Sequence, residues 1–193
     1  MSKITNNYFN QMEEKDAQII RAFNDDVHFF KELNYNDLGS KIDVTAITKR
    51  GKKCHIEIKQ RTGQRYGDFK KFIEEFDTIF LATSKIDFFS KIMSSGYSLS
   101  EKELFVSIFN DGDIIIIHDI LKPQDLEWLP CQRLWNPGTK KWDIQHRLGF
   151  YWYNGIIYEK DEDTGHYRRW TDEEIMYLVD KQHKYLPKYN QEY

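Results

Sequence analysis

Hydrophobic positions change period along the first third of the chain. Over residues 5–24, Phe9, Met12, Asp16, Ile19, Ile20 and Phe23 recur at helical spacing, with Asn6 or Asn7 placed to cap a helix. Asp16 stands on that stripe where an apolar residue belongs, and an acid on the inner face of a helix needs a partner or a purpose. A short strand is expected over 27–34, followed by a loop through Ser40. From Lys41 the period becomes two. Lys41–Thr48 and Lys53–Gln60 alternate, and Lys49-Arg50-Gly51-Lys52 joins them as a tight turn. Ile42, Val44 and Ala46 share one face with Cys54, Ile56 and Ile58; Asp43 and Thr45 share the other with His55, Glu57 and Lys59.

Farther along, Thr62–Gly67 reads as a basic loop, and Phe69, Phe72, Ile73 and Phe76 line one side of a helix over 68–76. Residues 78–83 form a short apolar strand, and Ser84 can cap a helix to about Met93. Two strands, 103–109 and 113–120, flank Asn110-Asp111-Gly112, a strong hairpin signal. Pro123 opens a short helix or turn ending near Pro130. Residues 131–170 then mix Trp135, Trp142, Trp152 and Trp170 with Arg133, Arg147, Arg168 and Arg169. Thr171 caps a last helix to about Lys184, with Glu173 and Glu174 in its first turn, ahead of a loosely held tail. This pattern divides the chain into an α/β core over 1–130 and an aromatic-rich extension over 131–193 packed upon it.

Composition narrows the class. An apolar share of 40% with 16% aromatics excludes disorder, and 193 residues can bury a core without metal or disulfide staples. No apolar run approaches the roughly 18 residues of a membrane span, and the N-terminus carries no signal-peptide stretch. Two cysteines, Cys54 and Cys131, fit an intracellular, reducing, cytoplasmic setting. The net charge of -3 conceals an asymmetry: residues 41–71 hold 10 basic and 3 acidic side chains, whereas 72–130 hold 4 and 11. A basic stretch in an acidic protein suits phosphate binding, or else a solvated hairpin.

The candidate chemistry lies inside that basic stretch. Asp43, Glu57 and Lys59 meet on one face of two neighbouring strands. Two carboxylates supply hard oxygens for Mg²⁺ or Mn²⁺, and an adjacent ammonium can position water or meet growing negative charge. An idle surface salt-bridge ladder is the plainer reading of the same residues.

Asp43 followed by Glu57-Ile58-Lys59 resembles the signature of the PD-(D/E)xK nucleases, with Ile42 where the family places proline. The resemblance covers roughly residues 5–83. It implies a mixed central sheet flanked by helices, a restriction-endonuclease-like core of helix, three strands, helix and further strand, with the aromatic extension added to it. In the Holliday-junction-resolvase-like branch the first helix adds an acid ahead of apolar residues; Asp16 fits, and Glu13 one turn earlier is the second choice. By the resemblance Asp43 and Glu57 bind metal, Lys59 activates or positions water, and Asp16 or Glu13 completes the shell. The implied activity is Mg²⁺- or Mn²⁺-dependent DNA endonucleolytic hydrolysis giving 5′-phosphate and 3′-hydroxyl ends.

Arg61, Gln64, Arg65, Lys70 and Lys71 follow the acid-bearing strand and are the candidates for DNA backbone contacts. His55 is either a neutral neighbour of the acids or a phosphate contact. The aromatic third forms a small core, a homodimer face or a platform for unpaired bases. A catalytically silent nuclease-fold module that binds nucleic acid or a protein partner is the alternative to an enzyme.

Overall fold

The computed structural model describes residues 3–36, 43–83, 85, 102–120, 126–136 and 141–185. Helix α1 (Lys3–Val27) precedes strands β1 (Phe30–Tyr35), β2 (Val44–Thr48) and β3 (Lys53–Gln60). Helices α2 (Gly63–Tyr66) and α3 (Phe69–Glu75) lead to β4 (Thr78–Ala82), β5 (Lys102–Phe109) and β6 (Ile114–Asp119). The chain continues through β7 (Leu126–Asn136), β8 (Lys141–Tyr151), β9 (Ile156–Lys160) and β10 (Tyr167–Arg169), and α4 (Asp172–Tyr185) follows. The architecture is mixed α/β, and among the described residues no helix is long and apolar enough to cross a membrane.

Local chemistry sets the element ends. His28 takes a left-handed φ of 52° after α1, and the Asn24 carboxamide oxygen accepts from the Phe30 N–H at 2.7 Å. Gly51, with φ of 75°, makes the β2–β3 turn where a side chain would be strained. Asp68 caps α3 by accepting from the N–H groups of Lys70 and Lys71. Thr171 and Glu174 exchange hydrogen bonds of 3.2 and 2.8 Å in a capping box at α4.

Among the described residues, seven strands form the main sheet in the order β1-β2-β3-β5-β6-β9-β10, with β3 and β5 its single parallel pair. A second, antiparallel sheet has the order β4-β8-β7. Two apolar clusters result. Ile20 and Phe23 of α1 pack with Val44, Ala46, Cys54, Ile56 and Ile58 on one face of the main sheet. The opposite face carries Phe105 and Phe109, packed with α3, the second sheet, Trp152 and α4. Each such large apolar side chain contributes about 1.5–3 kcal/mol through burial, which makes both clusters integral to the fold.

The strand expected over 78–83 is present as β4; it pairs with β8, and β5 lies beside β3. Two expectations change. Residues 126–130 are strand where a helix or turn was expected, and the 130/131 boundary falls inside β7. Nor are residues 131–193 an added layer, because β9 pairs with β6 in the main sheet and Trp152 is fully buried. The helix expected over 84–93, apart from Lys85, and the tail after Tyr185 lie outside the described residues.

Candidate active site

Alternation on the β2–β3 hairpin builds the site. Val44 pairs with Ile56, Thr45 with His55 and Ala46 with Cys54, so the apolar positions face α1 and Glu57 faces the second sheet. Asp43 sits just before β2, and its Oδ2 accepts the Ile58 N–H at 2.7 Å. That bond ties the first acid to the backbone beside the second. Glu57 is fully buried and held by two ammonium groups. Lys59 Nζ lies 2.9 Å from Oε1 as an ion pair by distance, outside hydrogen-bond geometry. Lys85 Nζ donates to Oε2 at 2.7 Å. Burial, and then the Glu57 charge, push the Asp43 carboxyl up to about 6; the Ile58 N–H, Lys59 and Lys85 pull the other way.

Lys85 is the site residue that sequence reasoning missed. It follows β4, far from the motif in sequence, and the only available signal was its basic character within the acidic 72–130 stretch. Its contact depends on where the second sheet carries the chain.

The acid-bearing face is more buried than an exposed ladder would be. His55 Nδ1 and Glu103 Oε1 lie 2.8 Å apart, both buried, because β3 and β5 run parallel with these residues in register. Ser107 is buried opposite Lys59, and His118 is buried opposite Phe105. His118 Nε2 lies 3.1 Å from the Tyr151 carbonyl, and burial pulls its ring down to about 4, so the ring is neutral at pH 7.

The remaining candidates separate. Arg61 is buried, which corrects its expected role as a surface phosphate contact. Its guanidinium donates to the Phe80 carbonyl at 2.7 Å and lies 4.6 Å from the Phe80 ring centre; burial lowers its pKa to about 10 and leaves it cationic. The period of two that carries His55, Glu57 and Lys59 continues through Arg61 and turns it under β4. Gln64 and Arg65 lie in α2, with side chains outside the described residues. Lys70 and Lys71 are exposed on α3, Lys71 lying 3.4 Å from Asp68. Asp16 is half-buried on the α1 stripe that carries Ile20 and Phe23, with one carboxylate oxygen enclosed. Glu13 lies in α1, its side chain outside the described residues. In the aromatic third, Trp152 is core, whereas Trp142 and Ile144 are exposed on β8.

Chemically, the arrangement offers two carboxylates with two ammonium groups beside them, at a place where burial strengthens electrostatics. Among the described residues no group of three or more His, Cys, Asp or Glu side chains could hold a metal ion, so Asp43 and Glu57 are a two-carboxylate set. No family model matches this chain, and no curated protein or solved structure matches it.

Proposed function

We propose that the chain is a divalent-metal-dependent DNA endonuclease with a restriction-endonuclease-like core. The observation that carries the reading is Glu57, fully buried between two lysines, with Asp43 bound to the next backbone N–H. The order helix, three strands, helix and further strand also supports it, with α1, β1, β2, β3, α3 and β4 in those places, β4 pairing in the second sheet. The donor set suits Mg²⁺ or Mn²⁺ in its hard carboxylate oxygens, and such an ion would take the place of at least one of the two ammonium groups on Glu57. Asp43 and Glu57 would hold it. When bound, the metal supplies Lewis-acid stabilisation of the scissile phosphate and a more acidic water. Lys59, half-exposed beside Glu57, orients that water or meets the developing charge. Lys85 stands where it can contact the phosphate once it leaves Glu57. Lys70 and Lys71, with Arg65, offer backbone contacts along the same exit from β3.

A second reading has a specific observation in its favour. Both Glu57 oxygens already face ammonium groups, as they would in a silent nuclease-fold module whose lysines have replaced the metal. Calorimetric titration with Mn²⁺, followed by nicking of supercoiled DNA in Mg²⁺, separates the two. The enzyme reading expects saturable Mn²⁺ binding and EDTA-sensitive nicking, both lost in folded Glu57→Gln and Asp43→Asn proteins. Full nicking by folded Glu57→Gln would refute the assignment, and absence of Mn²⁺ binding by the natural chain would favour the silent module.

A further inference from the structure

The basic stretch 41–71 does not converge on one place. Lys59, Arg61, Lys70 and Lys71 leave β3 at the acid end, while Lys49, Arg50 and Lys52 sit on the β2–β3 turn. Five residues of strand separate that turn from Asp43, about 16 Å at 3.3 Å per residue. The turn cations therefore serve something other than Asp43 and Glu57.

Beside the turn is a cavity of about 510 Å³, a size within the ordinary ligand range. Its floor is apolar and comes from distant parts of the chain: Phe29 after α1, Leu104 on β5, Ile117 on β6 and Tyr158 on β9. The Phe29 and Tyr158 rings meet edge to face at 6.2 Å and 90°, which gives this floor a fixed aromatic corner. The rim is cationic. Its acid, Asp119, is 3.2 Å from Lys102 Nζ, which leaves Lys49, Arg50 and Lys52 as the surplus. Those three side chains are exposed and make no ion pair or side-chain hydrogen bond among the described residues. The turn itself is held by the Gly51 N–H to the Thr48 carbonyl at 2.8 Å and the Lys52 N–H to Thr48 Oγ1 at 3.0 Å. Backbone groups and the Thr48 hydroxyl hold the turn, so the cations are not needed to stabilise it.

We propose that this cavity binds a small amphipathic anion. Its aromatic or aliphatic body lies on the partly exposed Val27, Phe29 and Ile156, backed by the buried Leu104, Ile117 and Tyr158, and its carboxylate or sulfonate head lies among Lys49, Arg50 and Lys52. The apolar floor supplies burial, and three surplus cations at one edge fix the sign and position of the head. The site is independent of metal binding at Asp43 and Glu57.

The test uses the full chain and the fluorescent probe 1-anilinonaphthalene-8-sulfonate. Titration should give saturable one-to-one binding. The triple variant Lys49→Glu, Arg50→Glu, Lys52→Glu, altered only on an exposed turn and checked by circular dichroism, should lose about tenfold or more in affinity. A charge-matched control on exposed residues that line no cavity among the described residues, Lys31→Glu, Arg133→Glu, Lys141→Glu, should change affinity by less than about twofold. Equal losses in the two variants would reduce the effect to net charge and overturn the site. Unchanged binding by the turn variant, or no saturable one-to-one binding by the natural chain, would overturn it as well.

Discussion

Asp43 and His118 show how burial acts on single residues in opposite directions. The Asp43 carboxyl rises from 3.8 to about 6, so between those values the folded chain holds a proton that the unfolded chain releases. Stability from this group is greatest at low pH and is lost as pH rises through about 6. The His118 ring falls from 6.5 to about 4, so in that interval the unfolded chain holds the extra proton. Its contribution is complete above 6.5 and is lost as pH falls towards 4. The two effects oppose each other over one window and flatten the natural curve. Denaturant melts at pH 4, 6 and 8 should separate them. Asp43→Asn should gain about 1–2 kcal/mol at pH 8 relative to pH 4, compared with the natural chain, and His118→Gln should lose its share of the acid-side decline. Parallel pH curves for all three proteins would remove this account. Lys85 permits a further residue-level test. If metal and ammonium compete for Glu57 Oε2, Lys85→Met should bind Mn²⁺ about tenfold more tightly by calorimetry. Equal or weaker binding would make Lys85 a bystander to the metal.

Strand pairing decides which residues reach the site. The β2–β3 hairpin was readable from alternation because each strand sorts apolar from polar side chains, and Gly51 marks the turn. The start of α4 was equally legible, since Thr171 is a capping residue acting on its own backbone neighbour, whereas the Asp68 cap of α3, read from sequence as part of the helix, shows only in the structure. Asp68→Ala should cost about 1 kcal/mol in chemical denaturation. The partner of β4 was not legible. Its apolar sequence fits a central strand of either sheet, and the observed β4–β8 pair brings Thr78 so close to Gly149 that a Cβ there would stand 2.6 Å from Thr78 Oγ1. Gly149→Ala should therefore destabilise by about 1–3 kcal/mol, the range for overpacking, with Gly149→Ala/Thr78→Gly recovering part of the loss. A neutral Gly149→Ala in the same melts would argue against that pairing. Moving β4 to the second sheet has a functional consequence, because the chain leaving β4 brings Lys85 to Glu57.

At the scale of the molecule, both apolar clusters draw on both ends of the sequence. Tyr158 of β9 packs with α1 and β1, and Trp152 packs with Phe69 and the β5 aromatics. A fragment ending at Pro130 should consequently lack cooperative folding in circular dichroism and limited proteolysis; a stable, cooperatively melting 1–130 fragment would contradict this interdependence. The sequence by itself determined the α/β class, α1, the β2–β3 hairpin and the alternation that brings Glu57 and Lys59 side by side. Each of these is a short-range consequence of backbone periodicity and turn chemistry. Only the tertiary structure decided that Glu57 is buried, that Arg61 packs against Phe80, that β5 takes the place beside β3, and that Lys85 joins the acids. It also decided that the basic stretch divides between the two ends of one hairpin. The physical reason is common to them all: burial and ion pairing depend on which distant strand covers a face, and local periodicity carries no record of that partner.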